Sequence, residues 1–146
     1  MDDAPVPATI LVVEDDAATS AFLMELLRDA GYHVQGAALG RAALAQLEER
    51  AVDLVLLDWW LPDIPGVAVC RQIRATLDAT LPIVVLTADT RAELAATARE
   101  AGVTAYLTKP IAPAVLLDQV AALVRGAGAV PPAPRVRAWG DTGGHD

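Results

Sequence analysis

One cysteine, one lysine and no long apolar run are the first features of this 146-residue sequence. A lone Cys70 cannot close an internal disulfide, which fits a reducing compartment. No apolar stretch approaches the ~20 residues needed to cross a bilayer. The opening MDDAPVPA is acidic and proline-containing, unlike a secretory signal peptide, so the expected location is the cytoplasm and no membrane partner is expected. There is no glycine-rich G-x-x-x-x-G-K loop, which argues against a bound nucleotide. Positive charge is also scarce. The formal net charge is -8 with a pI near 4.6, and an acidic surface repels phosphate backbones, so nucleic acid is not an expected partner. His33 and His145 lie too far apart in the chain to make a convincing metal pair.

What is present is a well-packed α/β chain. Hydrophobic residues make up 54% and charged residues 21%, and the length suits one domain with a substantial core. Segments 9–13 (TILVV), 33–37, 53–57, 82–87 (PIVVLT) and 105–108 (AYLT) read as short strands. Between and after them, helical periodicity marks 17–30, 40–50, about 66–76, about 91–101 and 113–125. The first helix carries apolar residues at 22, 23, 26, 27 and 30 and is closed by Gly31; the fourth stops at Gly102. Pro113 suits the first turn of the last helix, and Cys70, beside Val69 and Ile73, reads as core. Strict alternation of strand and helix implies a parallel sheet covered on both faces. With right-handed crossovers, the simplest arrangement is a doubly wound five-stranded sheet of order 2-1-3-4-5. The expected boundaries are a leader at 1–8, a domain at 9–125 and a Gly/Pro-rich tail or linker at 126–146 that contains Trp139. Twenty-one residues after the last helix are too few for a helix-turn-helix output domain, so the chain is expected to be a stand-alone domain or a fragment cut within a linker.

In doubly wound sheets, ligands bind beyond the carboxyl ends of the strands. Strand one ends in Glu14-Asp15, strand three in Asp58, strand four in Thr87 and strand five near Lys109. Taken singly, each has an ordinary explanation as a cap, a turn residue or a surface charge. Together they converge on one edge. Like charges ~4 Å apart repel by ~4 kcal/mol at an effective dielectric of ~20, so three carboxylates there call for a cation. All-oxygen ligation suits Mg²⁺, which Glu14 and Asp15 would hold. Lys109, the one lysine against ten arginines, adds a compact positive charge suited to a phosphoryl group. The chemistry this implies is attack by the Asp58 carboxylate on a phosphoryl donor, with Thr87 donating a hydrogen bond to a phosphoryl oxygen.

The motifs ILVVEDD (10–16), LVLLDWWLPDIPG (54–66), IVVLTAD (83–89) and AYLTKPI (105–111) stand in the order and spacing of the receiver domains of two-component response regulators. The chain resembles that family over about residues 8 to 125. The resemblance implies a flavodoxin-like receiver fold in which Asp58 accepts a phosphoryl group from a sensor histidine kinase or phosphotransfer protein, with Mg²⁺ as cofactor. It implies Asp15 and Asp58 as direct metal ligands, Glu14 acting largely through water, and the Trp60 backbone carbonyl as the remaining protein ligand. Thr87 and Tyr106 would form the switch pair, and the Lys109-Pro110 peptide would be cis. Such a domain is a signalling switch, catalysing only its own phosphotransfer and dephosphorylation. Its output face would be the fourth helix, fifth strand and fifth helix, whose Arg91, Glu93, Arg99, Glu100, Asp118 and Arg125 suit either a homodimer or an ordinary solvated surface. Pro65 stands where relatives often carry Asp. Trp60 and Asp89 occupy positions that vary in the family, and bulky Trp60 is expected to shield an acyl phosphate from water. Two alternatives carry other functions. A pseudo-receiver binding module would keep the fold without phosphorylating. A haloacid-dehalogenase-like phosphohydrolase would need an Asp-x-Asp motif on strand one, where Glu14-Asp15-Asp16 stands instead.

Overall fold

The structure, a computed structural model, describes residues 7–126. The leader and tail assignments, with Trp139 and His145, lie outside those residues except at positions 7, 8 and 126. Five strands, β1 (Thr9–Val13), β2 (His33–Ala37), β3 (Leu54–Asp58), β4 (Ile83–Thr87) and β5 (Ala105–Thr108), form one parallel sheet in the order β2-β1-β3-β4-β5. Five helices alternate with them: α1 (Ala17–Asp29), α2 (Gly40–Glu49), α3 (Gly66–Gln72), α4 (Ala92–Ala101) and α5 (Pro113–Gly126). The expected fold class, strand order and element order are all present.

Alternation along each strand sends side chains to two cores. Ile10, Val12, Leu54, Leu56, Val84 and Leu86 meet Leu23 and Leu27 of α1 and Leu116, Val120 and Val124 of α5. On the opposite face, Leu11, Val13, Val55, Leu57 and Ile83 meet Ala43 of α2 and Val69 and Cys70 of α3. A third, smaller cluster joins Trp59 and Val85 to Leu94 and Ala98 of α4, with Tyr106 packed at its side. Burial of Leu54, Val55, Leu56 and Leu57 contributes roughly 1.5–3 kcal/mol each before chain entropy. That makes β3 a rigid mount, able to carry a charged residue at its end.

Local differences from the sequence reading have identifiable causes. Strand three runs 54–58 rather than 53–57, because Asp53 pairs outside the ladder: its carboxylate accepts from Thr9 N–H and its own N–H donates to Thr9 O, both at 2.8 Å. Asp58 therefore belongs to the last rung, opposite Leu86. Strand four starts at Ile83, since Pro82 has no N–H to give and only its carbonyl accepts, from Val55 N–H at 3.0 Å. The third helix changes character after Gln72 into a π-helical turn, Ile73–Leu77, closed by Asp78 N–H donating to Ile73 O at 2.8 Å. Apolar periodicity does not distinguish that turn from α-helix. Phe22, one of the apolar residues of the α1 stripe, is 47% exposed. Its neighbours Leu23 and Leu27, one turn apart, define a narrower buried face. Gly31 (φ 101°) and Gly102 (φ 97°) take the left-handed conformation that ends α1 and α4. The Lys109-Pro110 peptide is cis.

Candidate functional site

The strand ends bring the expected side chains together. Among the described residues, Glu14, Asp15 and Asp58 form a group of three carboxylates whose nearest oxygens all lie within 4.8 Å of one another. The acid run after β1 divides by position. Glu14 is buried, and its Oε2 accepts from Asp16 N–H at 3.1 Å. Asp15 is exposed at the mouth of the group. Asp16 leaves the group to cap α1, accepting from the N–H (2.9 Å) and hydroxyl (2.7 Å) of Thr19, which hold its carboxyl below the usual range. One of the three acids is thus the helix cap that such a run ordinarily supplies; the other two are not.

Lys109 Nζ lies 3.0 Å from Glu14 Oε1 and 3.8 Å from Asp58 Oδ2. Its backbone N–H donates to Thr87 O at 2.8 Å, which carries the β4–β5 ladder one residue past Thr108 and fixes where the side chain starts. One ammonium does not neutralise three carboxylates. Burial, reinforced by the charge of Glu14, pushes the Asp58 carboxyl up to about 6, against smaller opposing contributions from Trp60 N–H and Lys109. An acceptor-only set of this kind, two carboxylates buried and one open to solvent, fits a hard divalent cation such as Mg²⁺, for which oxygen donors are the ordinary ligands.

Thr87 ends β4, buried, next to the β3 strand that carries Asp58. Its Oγ1 accepts from Asp89 N–H at 3.1 Å, leaving the hydroxyl hydrogen available to another acceptor. The Tyr106 hydroxyl on β5 donates to the Asp89 carbonyl. Thr87 and Tyr106 therefore hold the same residue from two sides. Asp89 in turn forms a bidentate pair with Arg91, Nε on Oδ1 at 2.9 Å and Nη2 on Oδ2 at 2.5 Å, just before α4. Arg91, counted in the sequence among the charges of an outward face, is committed within its own chain.

Trp59 and Trp60 diverge after Asp58. Trp59 is 2% exposed under α4, whereas Trp60 is 56% exposed and its N–H donates to Asp58 Oδ1 at 3.2 Å. A Cβ on Gly66 would stand 2.9 Å from Asp58 O and from Trp59 Cα and O, so only glycine lets α3 begin this close to the acceptor strand. Pro65, the departure from the common pattern, is the residue before α3 and leaves this approach intact.

Sequence reasoning missed Asp63. Its two carboxylate oxygens accept from Gly40 N–H and Arg41 N–H, each at 2.9 Å, and Arg41 N–H does most to hold its carboxyl below the usual range. A signal was there to be read: Leu39, ahead of α2, has no side chain able to cap that helix.

The model of the response regulator receiver domain family matches residues 10–121. Among curated proteins, the transcriptional regulatory protein ZraR of Salmonella typhimurium is 42% identical over 102 residues, 70% of this chain and 23% of ZraR. The response regulator MprA of Mycolicibacterium vanbaalenii is 42% identical over 120 residues, 82% of this chain and 52% of MprA. The chain thus spans from about a quarter to about half the length of these relatives. Among solved structures, a putative response regulator from Chloroflexus aurantiacus superposes with a TM-score of 0.78 at 38% identity, covering 82% of this chain and 98% of that one. A CheY-like receiver domain protein from Methanospirillum hungatei gives a TM-score of 0.80 at 28% identity, covering 84% and 97%.

Proposed function

The chain belongs to the response regulator receiver family, and from that premise we propose that Asp58 accepts a phosphoryl group from a histidine kinase or phosphotransfer protein. Receiver domains are signalling domains of two-component systems rather than classical enzymes, and they bind Mg²⁺ at an acidic pocket. The observation that carries the reading is the meeting of Glu14, Asp15, Asp58 and Lys109 at one sheet edge, with the Asp58 carboxylate on a fully buried strand.

Asp15 and Asp58 would hold the metal directly, Glu14 through water, and the Trp60 carbonyl as the remaining protein ligand. When bound, Mg²⁺ supplies positive charge that offsets the carboxylates and the phosphoryl oxygens. The chain's own residues do the rest. In the metal-free protein burial and then the charge of Glu14 raise the Asp58 carboxyl to about 6, and bound Mg²⁺ would favour the ionised carboxylate that attacks. Trp60 N–H holds Oδ1, leaving Oδ2 on the Lys109 side. An Asp58 oxygen lone pair forms the O–P bond as the donor's P–N bond breaks. That electron pair stays on the departing imidazole nitrogen, which takes a proton from solvent. Lys109 stabilises the anionic phosphoryl oxygens, and the free Thr87 hydroxyl hydrogen donates to one of them.

The same geometry supports a route outward. Movement of Thr87 toward a phosphoryl group changes its hold on Asp89, which Tyr106 and Arg91 also grip, and so reaches the start of α4. The output surface in this reading is α4-β5-α5, with partner binding or a homodimer as its consequence. Arg99, Glu100, Asp118 and Arg125 remain exposed on it. The acidic charge supports a protein partner over nucleic acid for this unit. Among the described residues no helix is long and apolar enough to cross a membrane, and the single Cys70 is buried and free, in keeping with a cytoplasmic setting.

Incubation with Mg²⁺ and acetyl phosphate followed by intact mass tests this. The expected result is a gain of about 80 Da, one phosphoryl group, that an Asp58→Ala variant lacks. No adduct on the wild type would favour a non-phosphorylating binding module, and steady turnover of external phosphoesters would favour a hydrolase. Light scattering of the phosphorylated protein would then report dimerisation.

A further inference from the structure

The loop that leaves Asp58 is fastened at three points. At its base, Gly66 N–H donates to Trp59 O at 2.8 Å. At the acceptor, Trp60 N–H donates to Asp58 Oδ1 at 3.2 Å. The third fastening lies on another element. Asp63 Oδ1 and Oδ2 accept from Gly40 N–H and Arg41 N–H, 2.9 Å each, at the start of α2. Ile64 packs there too, so closely that a Cβ on Gly40 would fall 2.6 Å from its Cγ1.

A helix ordinarily takes its cap from the residue just before it. Here Leu39 stands at that position in extended backbone (φ -131°, ψ 151°) with no capping hydrogen bond. The cap comes instead from Asp63, 23 residues beyond Gly40, out of the loop that carries the Trp60 peptide. Serving α2 alone would need only a serine or aspartate at 39. Drawing the cap from this loop also ties the loop to the sheet's flank. We infer that Asp63 is a positioning residue for the chemistry at Asp58: by binding α2 it fixes the Trp60 peptide, whose N–H orients the acceptor carboxylate and whose carbonyl the receiver reading assigns to the metal. This role rests on that reading of the pocket.

Capping and tethering are separable by a cap supplied in place. Leu39→Ser restores a local cap in a backbone conformation suited to one, on a side chain 42% exposed, and adds no charge beside the acidic group. The comparison is therefore Leu39→Ser against Leu39→Ser/Asp63→Ala, both with a capped α2. Thermal unfolding in chelator reads the cap, and Mg²⁺ titration followed by tryptophan emission reads the tether. The two variants should unfold within a degree or two of each other, while the Asp63→Ala change weakens Mg²⁺ binding about tenfold, as loss of a support behind a metal ligand does. Equal Mg²⁺ affinity in the two would overturn the positioning role while leaving the pocket reading intact. Absence of any Asp58-dependent Mg²⁺ response in the wild type would instead bring down the pocket reading, and this role with it.

Discussion

Replacing Asp58 with asparagine should make the metal-free protein more stable, and by an amount that depends on pH. The Asp58 carboxyl is raised from 3.8 to about 6, chiefly by burial and then by the charge of Glu14. Between those pH values the native chain keeps a proton that the unfolded chain has released, so stability falls as pH rises through this window and stays lowered above it. A shift of about two units corresponds to about 3 kcal/mol at 1.36 kcal/mol per unit. Asparagine keeps an oxygen for Trp60 N–H but carries no charge, and Lys109 retains Glu14 as its partner. In chelator, urea unfolding should favour Asp58→Asn by about 1 kcal/mol at pH 4.5 and about 3 kcal/mol at pH 7.5. Mg²⁺ at ten times its Kd should return about 1.4 kcal/mol to the wild type and little to the variant. An advantage that did not change with pH, or a wild type more stable than the variant at pH 7.5, would refute the electrostatic account of the pocket.

Three further outcomes follow from the same geometry. Lys109→Met leaves Glu14 buried without its ion-pair partner and should cost about 2–3 kcal/mol in urea unfolding at pH 7, besides abolishing the phosphoryl adduct. Gly66→Ala forces a Cβ to within 2.9 Å of the Asp58 and Trp59 backbone and should destabilise by about 1–3 kcal/mol, with slower phosphorylation; an unchanged midpoint would show that the loop yields freely. Trp60→Asn removes a bulky ring attached beside the acceptor carboxylate, and intact mass over time should show its acyl phosphate lost faster than that of the wild type.

The sheet was legible because its determinants are local. Runs such as VLLD and IVVL are buried on both faces, and a parallel sheet demands that. The convergence of Glu14, Asp15, Asp58, Thr87 and Lys109 on one edge followed from strand order alone, since each ends a strand or stands beside its end. What escaped reading were contacts that span loops. Asp63 reaching α2, Tyr106 and Thr87 sharing Asp89, and Arg91 turning back on Asp89 depend on loop paths that no periodicity encodes. The opposite fates of Trp59 and Trp60, adjacent and chemically identical, likewise depend on where the chain turns after β3. The apolar stripe of α1 marked the helix but not which of its residues are buried: Phe22, on its flank, is exposed, whereas Leu23 and Leu27 are covered.

The central claim is that Asp58, and not one of the acids around it, is the residue that becomes phosphorylated. Hydroxylamine attacks an acyl phosphate and leaves a hydroxamate on the aspartate that carried it, so peptide mass spectrometry after Mg²⁺, acetyl phosphate and hydroxylamine names the acceptor directly. The account predicts a hydroxamate at Asp58 alone; a tag on Asp15, Asp16 or Asp63, or none anywhere, would contradict it.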